Sequence, residues 1–318
     1  MLKILGIILV ILLILAAVGV SVSTAYHRHQ LRNEEIVHPP PGKMVPVNDK
    51  QLHVFAEGEG TETIILMAGH GTSNPTLDFA PLRRRLTEDY RVVVVEKTGY
   101  GWSDSSRSSR DLATMLEETR EALKGAGEEA PYILMPHSMS GLEAIYWAQK
   151  YPEEVQGIIG LDPSTPNTVE LLPDPPTLQL YSMYLLSRTG LTRFMPEEDY
   201  TQNFPIMNTG ELTDEEKEEY LAVFFRSSFT MPMLRETRAL RDNAELVSGM
   251  AVPEDVPMLF FISNDQEGEL IGWKDALTGY LSGVNQGTYI ELDTGHYVHY
   301  EKSDVIVEET RAFLEEVR

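Results

Sequence analysis

The chain contains no cysteine among its 318 residues. That absence excludes disulfide bonds, catalysis by a thiolate and metal sites built on cysteine, and it leaves the cellular compartment open. Basic residues are also scarce, since 26 Lys and Arg stand against 49 Asp and Glu and give a formal net charge of −23. Such an acidic surface repels the phosphates of nucleic acid, so we expect no nucleic-acid partner.

Charge is also missing from a long apolar run near the N-terminus. Residues 4–22 are almost all aliphatic, and a run of this length is enough to cross a bilayer core. We expect residues 1–25 to be a transmembrane anchor or a signal segment, and the length favours the anchor. Lys3 on one side faces Arg28 and Arg32 on the other, so the positive-inside rule hardly decides the orientation. We expect the domain that follows to lie outside the cytoplasm, or to be secreted if the segment is cleaved.

A polar stretch, residues 26–41, separates the apolar run from the remainder of the chain. It is rich in His and Pro, and we interpret it as a solvated linker. Residues 42–318 are then long enough for one large α/β domain with an insertion.

From Gly42 onward, short strand patterns alternate with helical ones. Two segments joined through Asn48 and Asp49 are typical of an antiparallel hairpin. The later segments are unbroken apolar or β-branched runs, as expected for strands buried on both faces of a parallel sheet. The predicted strands are 44–47, 52–56, 63–67, 91–96, 131–135, 155–161, 257–263 and 287–292, and clear helical patterns cover 112–123 and 304–317. The alternation predicts an α/β fold with a mostly parallel, doubly wound sheet and an N-terminal antiparallel hairpin.

One region, residues 163–252, interrupts the alternation. It has no clear strand and contains several helical pieces rich in Tyr, Leu, Met and Phe. We expect a helical cap inserted between the sixth and seventh strands, over the sheet edge at which α/β folds bind ligands. The alternative is a separate small helical domain.

Ser138 stands between a predicted strand and a helix-like segment. A serine on a sharp strand-to-helix turn presents its hydroxyl, and the helix N-terminus behind it offers free amide donors to a developing negative charge. Pro136 and Ser140 occupy flanking positions at which the strict motif has glycine. The motif is therefore degenerate when taken alone.

Other residues could complete a nucleophilic site around this serine. A serine hydroxyl needs a base, an acid that orients the base, and donors for an oxyanion. The candidate base is His296, between the last strand and the last helix. The candidate oxyanion donors are the amides of Met139 and of His70, the latter in a glycine-containing loop after the third strand. The candidate acid is Asp162, at the end of the sixth strand, or Asp265, after the seventh.

These motifs follow the order found in the α/β-hydrolase superfamily, which the chain resembles from about Gly42 to its C-terminus. The resemblance rests on Ala-Gly-His-Gly at 68–71, Thr-Gly-Tyr-Gly-Trp-Ser-Asp at 98–104, the elbow at Ser138, the strand-end acids and Gly-His at 295–296. The segment 98–104 resembles that of the esterase, lipase and dehalogenase-like branch. The resemblance implies a Ser–acid–His triad, a cap between strands six and seven, and no metal or organic cofactor.

The chain also departs from the family's pattern. Ala68 stands where the family often has His, and Glu96 and Lys97 where it often has Asp and Arg. In the commonest family arrangement the acid follows the seventh strand, which points near Asp265. In a second arrangement it follows the sixth strand, about two dozen residues beyond the nucleophile, at Asp162, and we favour that residue slightly. Serine as nucleophile disfavours the alkyl-enzyme chemistry of haloalkane dehalogenases and epoxide hydrolases.

Together the motifs predict a serine hydrolase that cleaves a carboxylic ester, or a related acyl bond, through an acyl-enzyme at Ser138. The apolar cap favours a small hydrophobic substrate, with amide and lactone as alternatives. The degenerate elbow leaves a second class open, a catalytically inactive hydrolase fold that serves as a membrane-tethered binding or sensing module.

Overall fold

Within the residues that the structure describes, 2–196, 198, 204–264 and 270–317, a computed structural model shows a twisted sheet of eight strands. The strands are β1 Lys43–Val47, β2 Lys50–Glu57, β3 Thr63–Met67, β4 Arg91–Val95, β5 Tyr132–Pro136, β6 Val155–Leu161, β7 Met258–Ser263 and β8 Gly287–Leu292. Their order is β1-β2-β4-β3-β5-β6-β7-β8. β2 is antiparallel to β1 and to β4, and the pairs from β4 to β8 are parallel. The predicted α/β sheet and its N-terminal hairpin are confirmed.

Helices cover both faces of this sheet. In chain order, the α-helices of the described residues are α1 Leu2–Val37, α2 Pro75–Asp78, α3 Ala80–Leu86, α4 Leu112–Ala126, α5 Ser140–Lys150, α6 Pro166–Leu171, α7 Thr177–Arg188, α8 Asp214–Ser227, α9 Met231–Ser248, α10 Trp273–Leu281, α11 Val298–Glu301 and α12 Ser303–Glu316. Neighbouring β3 residues show the two-sided burial, since Ile65 packs in a core with α4 and α5 whereas Ile64 packs in a core with α3 and α12. Unbroken apolar strands are what such a doubly covered sheet requires.

Residues between β6 and β7 form the helical segment that we call the cap. It contains α6, α7, α8 and α9, with short 3-10 turns at Leu191–Phe194 and Pro205–Asn208. Local sequence starts its helices: Thr213 and Glu216 form a capping box on α8, and Thr230 caps α9 just before a proline-containing first turn. The cap packs over the sheet edge through a small apolar cluster that joins Ile206 and Tyr220 to α2 and α11.

The N-terminal helix α1 is longer than the apolar run. Within the described part of the chain, it is the one helix long and apolar enough to cross a membrane, and its apolar window makes no packing contact that buries it. The linker expected at 26–41 is helical as far as Val37. Residues 26–37 contain no glycine and no proline, and the first proline that can end the helix is Pro39. The expectation of a linker rested on polar composition alone, which does not exclude a helix.

The polar part of α1 packs on the cap rather than standing free in solvent. Ser23 and His27 are buried there. The Ser23 hydroxyl donates to the Thr189 carbonyl at 2.7 Å, and Arg193 forms a bidentate ion pair with Glu34 at 2.6 and 2.7 Å.

Candidate active site

Ser138 lies on a sharp turn between β5 and α5, as the sequence predicts. Its φ is +53°, a left-handed conformation that costs a non-glycine residue about 1–3 kcal/mol. The turn is fixed because the Ser138 carbonyl accepts the N–H groups of Gly141 at 2.9 Å and Ser164 at 2.7 Å. A Cβ on Gly141 would overlap the Ser164 carbonyl, so glycine is required there. The geometry is that of a nucleophile elbow.

Ser140, one of the two unusual flanking residues, has a structural role at this turn. Its hydroxyl donates to the carbonyl of Ala68 and lies 3.5 Å from the Lys97 ammonium. The other, Pro136, ends β5 and is buried. The substitution of glycine by Ser140 therefore ties the elbow to the loop after β3.

His296 lies between β8 and α11 with both ring nitrogens engaged. Its Nε2 is 2.9 Å from Ser138 Oγ, and its Nδ1 is 2.7 Å from Asp162 Oδ2. His137 supports the loop, because its Nε2 donates to the His296 carbonyl at 3.2 Å and the two rings lie 4.8 Å apart. Burial holds the pKa of His137 well below its usual value, so this second histidine is neutral at ordinary pH.

Asp162 is the carboxylate that the structure brings to His296. It is fully buried at the end of β6 and has a φ of +48°. It accepts the Ser263 N–H at 3.1 Å, the Ser263 hydroxyl at 2.7 Å and the Trp273 indole N–H at 3.0 Å. Asp265, the other candidate acid, lies outside the described residues. The sequence analysis did not predict roles for Ser263 and Trp273. The available signal for Ser263 was its position as a polar residue at the end of the apolar strand β7.

The loop after β3 passes directly beside the elbow. A Cβ on Gly69 would lie 2.9 Å from Ser138 Cβ, so the next amide, that of His70, lies close to the serine. Across the described residues, neither the His70 N–H nor the Met139 N–H donates a hydrogen bond within the protein. Two backbone donors are thus available near Ser138, as expected for an oxyanion site.

A buried polar network that the sequence did not predict supports the His70 loop. Lys97 forms an ion pair with Glu236 of α9 at 2.8 Å, and its ammonium lies 3.9 Å from Glu143. Tyr100 donates to the same Glu236 at 2.8 Å and lies 3.4 Å from the His70 ring. The network joins the end of β4, the His70 loop and the cap.

Charge in this network is balanced by the lysine. Burial by itself would raise the pKa of Glu236, but Lys97 and the neighbouring His70 outweigh burial and lower the pKa to about 2. Burial raises the pKa of Glu143, and Lys97 opposes that rise. Burial also lowers the pKa of His70 more than Glu236 raises it. The Glu236 carboxylate is therefore ionised at neutral pH.

Cavities border the site on two sides. A mostly apolar cavity of about 500 Å³ begins at His70 and extends under the cap; its apolar lining includes Leu180, Met183, Met195, Phe204, Phe224 and Met233. A more polar cavity of about 650 Å³ borders His296 and is lined on its far side by Asn208, Glu211 and Glu301. Both volumes lie in the range of small-molecule sites.

Comparison with known proteins places the chain in a family. The model described as "Serine aminopeptidase, S33" matches residues 61–267. The chain belongs to this family of α/β-hydrolases. The predicted superfamily is thus confirmed, and membership makes the chain a hydrolase.

Relatives of this hydrolase include one over the full length. The chain is similar to the uncharacterized protein YbdG of Bacillus subtilis (strain 168), with 33% identity over 100% of this chain and 98% of that protein. It is also similar to the pimeloyl-[acyl-carrier protein] methyl ester esterase of Shewanella sp. (strain MR-7), with 33% identity over 36% of this chain and 39% of the esterase.

Solved structures share the hydrolase fold at low sequence identity. A laboratory-evolved variant of potato epoxide hydrolase superimposes with a TM-score of 0.66 and 19% identity, covering 86% of this chain and 98% of that one. The enol-lactonase of Burkholderia xenovorans gives a TM-score of 0.59 and 17% identity, covering 86% and 100%. At such identities the likeness shows the fold alone.

Proposed function

We propose that this hydrolase cleaves a carboxylic ester of a hydrophobic substrate through an acyl-enzyme at Ser138. The observation that carries the proposal is the unbroken chain of hydrogen bonds from Ser138 Oγ through His296 to buried Asp162, with 2.9 and 2.7 Å between the paired atoms. Distances of this size are those needed for proton transfer between a nucleophile and its base.

In the proposed mechanism His296 Nε2 takes the proton of Ser138 as the hydroxyl oxygen attacks the acyl carbon. The carbonyl oxygen becomes an oxyanion that accepts from the amides of Met139 and His70. His296 then gives its proton to the departing alkoxide, and an acyl-serine remains. A water molecule, deprotonated by His296, attacks the acyl-serine and releases the acid.

Asp162 acts through His296 in this mechanism. Its carboxylate accepts the Nδ1–H of His296, which places the lone pair of Nε2 towards Ser138. The Ser263 and Trp273 donors fix the carboxylate so that it does not rotate away. The positive charge that His296 acquires during attack then faces a carboxylate held in place beforehand.

The substrate class follows from the nucleophile and from the apolar cavity. A serine at position 138 suits acyl transfer, whereas the alkyl-enzyme chemistry expected of an epoxide hydrolase needs a carboxylate there. The cavity that begins at His70 lies on the oxyanion side of the serine and can take an apolar acyl chain. One relative, similar over 36% of this chain, is named for the hydrolysis of a methyl ester.

The proposal is tested by active-site labelling of the full chain in detergent. We expect a fluorophosphonate probe to label the protein and to fail on Ser138→Ala, while Ser182→Ala, which changes an exposed cap serine, is labelled as the parent is. Labelling that persists in Ser138→Ala contradicts the proposal.

Turnover should be compared on esters, lactones and aminoacyl amides, because the family description names an aminopeptidase. We expect esters to be preferred, and faster cleavage of the amides would contradict that part of the proposal. Thermal stabilisation by the esters without labelling or turnover would instead indicate the inactive binding module.

A further inference from the structure

A row of exposed apolar side chains runs along the cap beside helix α1. Leu185 and Leu186 lie near the end of α7, and Leu191, Phe194 and Met195 follow in the next turn. Phe194 is 65% exposed and Leu185 57% exposed. We call these five residues the cap rim. An exposed apolar group of this kind calls for a partner.

The position of the cap rim is fixed by its contacts with α1. The Ser23 hydroxyl donates to the carbonyl of Thr189, which lies between the two halves of the rim. The ring of Tyr26 lies 6.4 Å from that of Phe194, centre to centre. The rim therefore packs on the first turns of α1 after the apolar run ends at Val22.

The rise per residue of an α-helix gives the depth of these contacts relative to a bilayer that α1 would cross. At about 1.5 Å per residue, residues 4–22 span about 28 Å, which matches a hydrocarbon core of about 30 Å. Tyr26 then lies about 6 Å beyond the end of that core, within the headgroup layer. Tyrosine is typical of this layer, and Arg28, exposed on the same helix about 9 Å beyond the core, lies near the outer boundary of the headgroups.

The same cap elements also line the apolar cavity. Leu180 and Met183 of α7 face it, as do Thr192 and Met195 of the following turn, and its far end is His70 beside the elbow. One thin layer of cap therefore separates the cap rim from a cavity that is lined by His70, whose neighbour Gly69 lies against Ser138.

We propose that the cap rim rests in the headgroup layer of the membrane and that the substrate is a long-chain lipid ester that enters the apolar cavity from the bilayer. This inference builds on the proposed ester hydrolysis at Ser138. A bilayer is the partner that fits this surface, because the rim contacts α1 directly after the apolar run that would cross the bilayer.

The rim's depth can be measured directly, since a chain without cysteine accepts single labels. Phe194→Cys and Leu185→Cys would be labelled with an environment-sensitive fluorophore in the full chain, reconstituted in phosphatidylcholine vesicles. The matched control is Leu246→Cys, an exposed cap leucine at the end of α9. The neighbouring Val247 carbonyl accepts from Gln149 near the far end of α5, which places this leucine away from the rim.

We expect blue-shifted emission at positions 194 and 185, with quenching by lipids that carry a nitroxide on the acyl chain, and water-like emission at 246. Equal, water-like emission at all three positions would overturn the proposal.

A second experiment separates the lipid substrate from ester hydrolysis in general. The double variant Leu185→Asp/Phe194→Asp should lose at least 10-fold in turnover of a long-chain ester held in vesicles and retain turnover of a short, water-soluble ester. Leu246→Asp should retain both. An equal rate of the rim variant and the parent on vesicles contradicts the inference, whereas failure of the parent on both esters contradicts ester hydrolysis and leaves the depth measurement valid.

Discussion

Two buried carboxylates flank the elbow of Ser138, and their surroundings differ. Asp162 belongs to the sheet and, besides His296, accepts only from the neutral donors Ser263 and Trp273 among the described residues. Glu236 belongs to the cap and pairs with the cation Lys97 as well as with Tyr100. Asp162 therefore has no cationic partner in the resting site among the described residues, whereas Glu236 is paired with Lys97.

In the proposed mechanism, this difference assigns a catalytic role to the surroundings of Asp162 and a positioning role to those of Glu236. A carboxylate surrounded by neutral donors keeps its charge available for a histidine that becomes cationic during the reaction. A carboxylate paired with lysine has its charge already compensated, so its contribution is to hold the cap and the His70 loop together. We therefore expect substitutions at Asp162 to affect turnover and substitutions around Glu236 to affect mainly stability.

The largest effect is expected for Asp162→Asn. An amide at this position donates to Nδ1 or leaves it without its acceptor, so His296 adopts the wrong tautomer, and kcat should fall roughly 10³- to 10⁴-fold. Steady-state kinetics on a soluble ester checks this, with circular dichroism to establish folding.

Glu236→Gln serves as the matched control, because it makes the same change on the other flank. Its kcat should fall by no more than about 10-fold, the equivalent of about 1.4 kcal/mol. Equal losses in the two variants would remove the distinction between the carboxylates.

The next effect concerns folding. Lys97→Met leaves Glu236 buried without its cation, and breaking a buried pair in this way costs about 3–5 kcal/mol. Thermal or urea unfolding of the full chain in detergent measures the loss. The double variant Lys97→Met/Glu236→Gln should recover most of that stability, and a double variant as unstable as the single one would show that the pair does not hold the cap.

Acid should weaken the same pair. The pKa of Glu236 is lowered in the folded protein from 4.5 to about 2, so its contribution is complete above about pH 4.5 and is lost as the pH falls towards 2. The contribution is on the order of 3 kcal/mol. The stability difference between the parent and Glu236→Gln should therefore shrink between pH 5 and pH 3. Burial and, to a smaller extent, Glu236 raise the pKa of Glu143, so the comparison is repeated in a Glu143→Gln background, in which that titration is absent. A difference independent of pH would contradict this assignment.

The smallest effects come from removing one neutral donor on each flank. Ser263→Ala takes a hydrogen bond from Asp162 and should lower kcat about 10-fold with little change in KM. A hydrogen bond to a charged group is worth about 1.5–3 kcal/mol, but the backbone N–H of residue 263 and the Trp273 indole still hold the carboxylate. Tyr100→Phe takes the matching bond from Glu236 and should change kcat less than about 3-fold. A larger loss of kcat in Tyr100→Phe than in Ser263→Ala would contradict the proposal that the Asp162 side positions His296.

Local patterns in the sequence were sufficient for much of the fold. Runs such as the one ending at Val95 predict buried strands because parallel strands covered on both faces need no polar alternation. The positions of Ser138 and His296 were predictable because each stands between a strand and a helix, whereas their catalytic roles stay predictions.

Other features depend on long-range packing and could not be read from the sequence. Asp162 and Asp265 both follow predicted strands, and nothing local in the sequence shows that Asp162 contacts His296. Lys97 and Glu236 are 139 residues apart, so nothing local joins them. The helical part of 26–41 was missed because its polar composition describes exposure rather than backbone conformation.

The continuity of α1 from Leu2 to Val37 has a mechanical consequence. The Glu34–Arg193 pair and the Ser23–Thr189 hydrogen bond join α1 and the cap into one unit, which the proposed anchoring would fix to the bilayer. In many enzymes with a cap or lid, the cap moves over the substrate while the rest of the domain stays in place. On the proposed anchoring the cap is the stationary part, so separating it from the sheet would move the sheet and its helices relative to the membrane and would break the Lys97–Glu236 pair that joins the two.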